Sequence, residues 1–150
     1  MPATRLPPRR DWFRRDGLSA AAAVRAHREP LRVLRADLRT AYLDAYSDRP
    51  WPPETLPSHE RALRMGAEQG APDPAAGIEV DVRDDGRFAV LAALAPYSVC
   101  AEARDGEGQQ LYGAYDTGTG LCVTLTPAQE AALAARLAPL DLTALYRTRG

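Results

Sequence analysis

Five arginines in the first third of the chain stand at the spacing of one helix face. They follow one another at intervals of three, four, three and four residues: Arg25, Arg28, Arg32, Arg35 and Arg39. If one helix runs through Pro30, the step of 100° per residue places all five within an arc of about 80°. If Pro30 breaks the helix, only the last three stay aligned. Guanidinium groups bind carboxylates and phosphates through paired hydrogen bonds, so the row suits an acidic ligand.

Few acidic side chains of the same helix can neutralise this row. Asp37 and Asp44 fall on nearly the opposite side, and only Glu29 stands three or four residues from Arg25 and Arg32. Three interpretations stay open: a solvated face, a contact with the acidic strands of the same fold, or a site for another molecule.

A second candidate surface lies in residues 1–17, a segment rich in Arg and Pro that has no hydrophobic period. Trp12 and Phe13 are two adjacent large aromatics in what we expect to be a flexible arm. They either pin the arm to the body or anchor a partner, because aromatic and Arg side chains dominate binding hot spots.

A third interpretation is a small acid–base enzyme on a polar sheet face. Asp81, Glu102, Tyr112 and Cys100 are its candidate lining residues, since a pair of carboxylates can act as general acid and base. Two thiols, Cys100 and Cys122, fall on this polar face, so we expect the N-terminal helices or a partner to cover it.

Other chemistry has little support in the residues. The 19 basic residues are all Arg, which excludes a P-loop lysine and a Schiff-base lysine. His27 and His59 have no Cys or His at ligand spacing. Asp116-Thr117-Gly118 resembles the active-site triplet of aspartic proteases, but Gly113-Ala114-Tyr115 replaces the bulky apolar run before that Asp. We therefore expect no catalytic residue, no metal and no cofactor.

The composition indicates origin and compartment. The chain has no Lys, no Asn and one Ile in 150 residues, which is typical of a GC-rich bacterial genome. Two cysteines and no secretory segment indicate the cytoplasm. Residues 9–13 loosely resemble a twin-arginine export motif, but only seven mostly Ala residues follow as an apolar core. No stretch approaches the roughly 20 apolar residues of a membrane span.

The near-neutral net charge of −1 hides two opposed halves. Residues 1–64 carry 13 Arg and 8 acids, a balance of +5, whereas residues 65–150 carry 6 Arg and 12 acids, a balance of −6. Such asymmetry indicates an interaction surface, within the fold or with a partner.

The elements that must position these residues divide the chain at a linker. Ser19 is a good N-cap for a first helix, an apolar stripe predicts a second over 30–47, and a third covers 58–69. After the linker 71–77, alternation predicts strands at 78–82, 88–94, 97–104, 110–115 and 121–125, with Asp84-Asp85-Gly86 as a hairpin turn. Thr126 and Gln129 form a capping box before a C-terminal helix.

The sequence thus predicts an α+β fold: N-terminal helices packed on a five-stranded, mostly antiparallel sheet with a C-terminal helix. We expect one domain over 18–150, with a helical half 18–70 and a strand-rich half 78–150. The favoured function is a small non-enzymatic cytoplasmic protein that regulates, inhibits or assembles with an acidic protein partner. Nucleic-acid binding through the Arg row is the alternative, because three helices and a hairpin resemble a winged helix. A homo-oligomer is compatible with these patterns, whereas a membrane location is not.

Overall fold

Residues 7–149 are described by the computed structural model, and a seven-stranded sheet runs through them. The strands are β1 (Arg10–Arg14), β2 (Thr40–Leu43), β3 (Ile78–Val80), β4 (Cys100–Arg104), β5 (Gln110–Tyr115), β6 (Gly120–Leu125) and β7 (Tyr146–Thr148). The helices are α1 (Ala20–Leu34), α2 (Leu56–Glu68), α3 (Asp85–Leu94), α4 (Pro127–Leu137) and α5 (Leu142–Leu145). Short 3-10 turns cover Arg35–Asp37, Pro53–Thr55 and Asp116–Gly118. The α+β class with an antiparallel sheet is confirmed.

The strands follow the order β3-β2-β4-β5-β6-β1-β7, and every neighbouring pair is antiparallel. The predicted number of five strands is wrong, because three segments expected elsewhere belong to the sheet. Strand β1 lies in the expected arm, β2 in the expected helix 30–47, and β7 after the C-terminal helix. The expected strand 88–94 belongs to helix α3 instead.

Strand β1 ties the N-terminal segment into the sheet. Trp12 lies opposite Val123 of β6 on one side and Thr148 of β7 on the other. We expected a flexible arm over residues 1–17; residues 1–6 lie outside the described part, but residues 10–14 form an inner strand. The partner strand β6 stands 111 residues later in the chain, so no local pattern reveals the pairing.

Helix α3 replaces the hairpin that we expected at Asp84-Asp85-Gly86. The Asp84 side chain accepts a hydrogen bond from the backbone N–H of Arg87 (2.9 Å), which is the geometry of an N-cap. Asp85 adds a negative charge to the first turn, where the helix dipole is positive. The following apolar run is mostly buried, and periodicity does not separate a buried strand from a buried helix.

Helix α1 continues through Pro30, so the first two predicted helices are one. The predicted helix 30–47 is wrong beyond Leu34, where a 3-10 turn and then β2 follow. The Tyr146 hydroxyl donates a hydrogen bond to the Ala26 carbonyl, which lies one turn before the proline (2.7 Å). This contact allows the helix to pass Pro30 without leaving that carbonyl unpaired.

Several local predictions are confirmed. Ser19 caps α1 by accepting a hydrogen bond from the Ala22 N–H (3.1 Å). Thr126 and Gln129 form the predicted capping box of α4. The third predicted helix, 58–69, lies within α2 and the residue after it, and Gly70 then adopts the left-handed conformation with φ of 74° that often ends a helix.

The two faces of the sheet differ in their partners. One face carries buried side chains such as Ala103, Val123 and Tyr112, and the Tyr112 hydroxyl bonds to the backbone of α1. Helix α1 lies on this face in contact with α3 and α4. The opposite face carries exposed or half-exposed side chains such as Tyr42 and Glu102. The expectation that the N-terminal helices cover the polar face is therefore wrong, because α1 packs on the apolar one.

Candidate binding groove

The five predicted arginines divide between two neighbours of α1. Arg25 donates from Nη2 to the backbone carbonyl of Arg136 on α4 (3.2 Å). The other four line a groove, hereafter the arginine groove, between α1 with its 3-10 extension and α3 with the loop before it: Arg28, Arg32, Arg35 and Arg39. Four of the five arginines predicted from spacing thus lie on one surface.

The arginine groove has two connected parts that share Arg32 and Arg35. The part between α1 and α3 has a volume of about 570 Å³, and its apolar side is formed by α3 residues that include Phe88, Ala89 and Ala92. The second part, about 490 Å³, reaches Arg39 and adds Arg83 (both parts are open to solvent). The groove therefore has an apolar side formed by α3 and a charged side formed by arginines.

Backbone carbonyls of α3 hold Arg28 in place. Its Nε donates to the Ala92 carbonyl (2.8 Å) and its Nη2 to the Ala93 carbonyl (3.0 Å). These carbonyls belong to the last turn of α3, where the helix has no donors of its own and its dipole is negative. Arg28 therefore caps α3 and is fixed at one end of the groove.

Arg35 is fixed near the other end of α3. Its Nε donates to the Val82 carbonyl (2.8 Å), and its Nη2 forms a salt bridge with Asp85 (2.7 Å). The guanidinium carbon lies 4.4 Å from the centre of the Phe88 ring, in a cation–π contact. Arg28 and Arg35 are thus oriented before any ligand binds.

The arginine groove carries a net positive charge, although Arg32 and Arg35 each pair with one carboxylate. Its lining residues include five arginines, which are Arg28, Arg32, Arg35, Arg39 and Arg83. Glu54 is the one acid that lines either part within residues 7–149. Asp85 lies beside the groove as the partner of Arg35 but does not line it.

Glu29 pairs with Arg32, one of the two row members that its spacing brings within reach, and not with Arg25. It accepts a hydrogen bond from Arg32 (2.7 Å) and forms a second salt bridge with Arg136 of α4. Burial alone raises the pKa of Glu29, but the two arginines outweigh burial and hold that pKa below its ordinary value. Glu29 is therefore ionised at neutral pH and divides its charge between two arginines.

The internal alternative for the row is a contact with the acidic strands. Within residues 7–149, no hydrogen bond or salt bridge joins the five arginines to Glu79, Asp81 or Glu102. Helix α1 lies on the opposite face of the sheet from Glu79 and Glu102, which explains the separation. What the row contacts instead is α3, α4 and the loop before α3.

The two aromatics of the N-terminal segment fall on opposite faces of the sheet, because they are neighbours in a strand. Trp12 is only 6% exposed, and its indole N–H donates to Glu130 (2.8 Å). Phe13 is half-buried on the polar face, with the Arg149 guanidinium 5.2 Å from its ring centre. Trp12 thus packs in the core, and Phe13 alone of the pair lies on an accessible face.

The predicted acid–base patch is not assembled. Tyr112 is buried on the apolar face, and Asp81 lies in an exposed loop after β3. Cys100 and Glu102 do share the polar face, where the thiol donates to the carboxylate (3.7 Å), and the Tyr115 hydroxyl donates to the same carboxylate (2.9 Å). Only two of the four predicted residues are thus together.

The thiols of the polar face are not activated. Burial, and next the nearby Glu102, raise the pKa of Cys100 to about 11. Burial also raises the pKa of Cys122, and both cysteines are free. Since the nucleophile in thiol chemistry is the thiolate, this environment disfavours a reactive cysteine.

Metal and protease chemistry find no centre in the described part of the chain. No group of three or more His, Cys, Asp or Glu side chains in residues 7–149 is arranged to hold a metal ion. His59 bonds through Nε2 to the Ala45 carbonyl (3.0 Å), and its ring contacts the Trp51 ring in a tilted arrangement. Asp116 lies in a turn between β5 and β6, as a Gly/Thr-rich loop predicts.

Sequence reasoning missed the α3 side of the groove. The segment containing Phe88, Ala89 and Ala92 was expected to be a strand, so no groove beside α1 could be anticipated. The signal that indicates the helix is Asp84 followed by an acidic first-turn residue, a pattern typical of a helix start. Arg83 and Glu54 carried no signal of their own.

Comparison of the chain with protein-family models, with curated proteins and with solved structures gives no significant match. Over residues 7–149, no helix has both the length and the apolar character that crossing a membrane requires.

Proposed function

We propose that this protein is a non-enzymatic binding protein that holds an acidic segment of a partner protein in the arginine groove. The observation that carries the proposal is the composition of the groove: five lining arginines against a single lining acid, Glu54. A regulator, an inhibitor or an assembly subunit of the bacterial cytoplasm would use such a site. The proposal rests on the groove alone, because Trp12 is a core residue and is not accessible as an anchor.

Fixed guanidinium groups favour this binding. Side chains that are ordered before association do not lose their rotamer freedom on binding, a loss of about 0.5–1.5 kcal/mol for a long side chain. Arg28 is ordered by two backbone carbonyls, and Arg35 by a backbone carbonyl at Nε and by Asp85 at Nη2. Nη1 of each has no acceptor among residues 7–149, so it can donate to a carboxylate.

The shape of the groove favours a peptide segment. Arg28, Arg32 and Arg35 follow the i, i+4, i+7 positions of the helix face, so their backbones span roughly 10 Å at 1.5 Å per residue. Acidic side chains on two successive turns of a docked helix have the same spacing. The small side chains of Ala89 and Ala92 allow such a helix to approach α3 closely. This is recognition of an amphipathic helix in a groove between two helices.

Nucleic acid fits the same surface less well. Asp84 and Asp85 begin α3, at the place where the wing tip of a winged helix would have contacted a phosphate backbone. The segment expected to form the hairpin wing of a winged helix forms the first turn of α3 instead. A protein ligand is therefore the favoured partner, and nucleic acid is the competing outcome in the experiment below.

The test uses a short Ala-based helical peptide with Glu at positions i, i+4 and i+7, and the same peptide with Gln at those positions. Calorimetric titration into the full chain should detect binding of the Glu peptide only. Arg32→Gln and Arg39→Gln should each weaken binding about tenfold, the equivalent of about 1.4 kcal/mol. Arg32 and Arg39 are chosen because neither donates to α3, so their loss spares the caps of that helix.

Arg25→Gln is the matched control, since Arg25 lies on the same helix but bonds to α4. We expect it to change the affinity by less than about twofold, as exposed charges outside a site usually do. If Arg25→Gln and Arg32→Gln weaken peptide binding equally, the peptide is held by general attraction to a basic helix and not by a site in the groove. Tighter binding of a DNA or RNA oligonucleotide than of the Glu peptide would favour the nucleic-acid alternative.

A further inference from the structure

A second arginine-lined hollow lies where helix α2 meets helix α3, and it shares no residue with the arginine groove. Its volume is about 180 Å³, and three arginines line it: Arg61 and Arg64 of α2 and Arg87 of α3. Met65 and Glu68 complete the lining. The hollow thus places three positive charges against one negative charge.

The Arg61 guanidinium lies against Gly86. A Cβ atom on residue 86 would collide with Nη2 of Arg61, so the absence of a side chain at Gly86 lets the guanidinium lie directly on the first turn of α3. The positive end of the helix dipole lies at this turn, which makes it an unfavourable place for a cation unless an anion lies close by. The two acids that begin α3 are already used, Asp84 as the N-cap and Asp85 as the partner of Arg35.

The three arginines also lack internal partners. Within residues 7–149, the side chains of Arg61, Arg64 and Arg87 make no salt bridge and donate no hydrogen bond. By contrast, Arg28 and Arg35 of the groove each make at least two polar contacts. Three arginines that line one hollow and have no internal acceptor among residues 7–149 suit a small anion with several oxygens.

We infer that this hollow binds one phosphate monoester group. Its volume corresponds to about six water molecules at roughly 30 Å³ each, which is room for a tetrahedral oxyanion with some bound water. It is smaller than the sites that enclose whole drug-sized ligands, of about 300 Å³ and more. Three guanidinium groups match the charge and the three outer oxygens of a phosphate dianion better than a single carboxylate. The inference is independent of the proposed function, because it rests on other residues.

The experiment is a titration of the full chain with inorganic phosphate at constant ionic strength, followed by amide NMR shifts and by calorimetry. We expect saturable shifts centred on residues 61, 64, 86 and 87. Arg64→Gln and Arg87→Gln should each weaken phosphate binding at least about tenfold, since each removes a charge-assisted hydrogen-bond donor. Arg25→Gln, which lies outside both the hollow and the arginine groove, is the matched control and should leave phosphate binding unchanged.

Two further ligands distinguish the source of the phosphate. A phosphoserine tripeptide that binds more tightly than glycerol phosphate would indicate a phosphorylated protein, and the reverse order would indicate a small phosphate ester. Unfolding by urea shows whether each Gln variant keeps its stability. The inference is overturned if chloride reproduces the phosphate shifts at equal ionic strength, or if the stable Gln variants bind phosphate as the unaltered chain does. It is also overturned if Arg32→Gln abolishes the shifts, which would move the site into the groove.

Discussion

The hydroxyl of Tyr146 donates a 2.7 Å hydrogen bond to the backbone carbonyl of Ala26, from the far end of the chain. That carbonyl would normally accept from the residue four positions later, which is Pro30 and has no N–H. The Tyr112 hydroxyl donates in the same way to the carbonyl of His27 (2.9 Å). The Tyr146 contact replaces the N–H that Pro30 lacks, and the Tyr112 contact ties the next carbonyl of α1 to the sheet. They explain how one helix continues far enough to bring Arg28 and Arg32 into one groove.

The first prediction concerns this replacement of a backbone donor. Tyr146→Phe should reduce the free energy of unfolding by about 1–3 kcal/mol, because it leaves a buried carbonyl without a donor. Pro30→Ala restores a backbone N–H to the Ala26 carbonyl, so the same Tyr146→Phe change should cost less in that background. Urea unfolding of the four chains measures the coupling between the two positions. An equal cost in both backgrounds would contradict the proposed role of Tyr146.

The second prediction concerns pH. His27 is fully buried on α1, and its Nδ1–H donates to the Ala23 carbonyl (2.8 Å). Burial, with help from the charges of Arg14 and Arg28, lowers its pKa from 6.5 to about 4. Between these values the unfolded chain binds a proton that the folded chain does not, so stability is complete above pH 6.5 and falls as the pH drops toward 4. The total loss is about 3 kcal/mol at 1.36 kcal/mol per pKa unit.

Urea unfolding at a series of pH values measures this loss. His27→Gln should flatten the dependence between pH 6.5 and 4. An unchanged slope in His27→Gln would assign the acid sensitivity to other groups.

The third prediction separates the two aromatics of β1. Trp12→Ala should reduce the free energy of unfolding by about 3–5 kcal/mol, because it removes a large side chain from the core. Phe13→Ala should cost less than half as much, since Phe13 is only half-buried on the polar face. Thermal and urea unfolding of both variants give the comparison. Similar small losses of unfolding free energy in the two variants would contradict the core position of Trp12 and indicate a surface anchor.

Part of this fold follows from local rules in the sequence. The capping residues Ser19 and Thr126 and the alternation at Ile78 and Val80 predict their elements correctly, because each signal acts within a few residues. Strand β2 escapes prediction because its apolar residues also fit the stripe of the preceding helix. Strands β1 and β7 depend on partners that are distant in sequence, so their own patterns do not define them.

The candidate site shows the same division. The spacing of the arginines on α1 predicts a shared surface, and four of the five residues do line one groove. The other side of that groove is formed by α3, whose apolar run is equally consistent with a buried strand. The sequence therefore does not predict this side. The exception, Arg25, is explained by α4, a helix whose contact with α1 is a matter of tertiary packing.

The location of bound acidic peptide is the measurement that tests the central claim most directly. Amide NMR shifts of the full chain are followed as the Glu peptide is added, with the Gln peptide as the reference. Binding in the arginine groove predicts the largest shifts at Arg32, Ala89 and Ala92, and a loss of these shifts in Arg32→Gln. Shifts centred on the polar sheet face, at Glu102 and Cys122, or on Arg25 beside α4, would contradict the groove as the binding site.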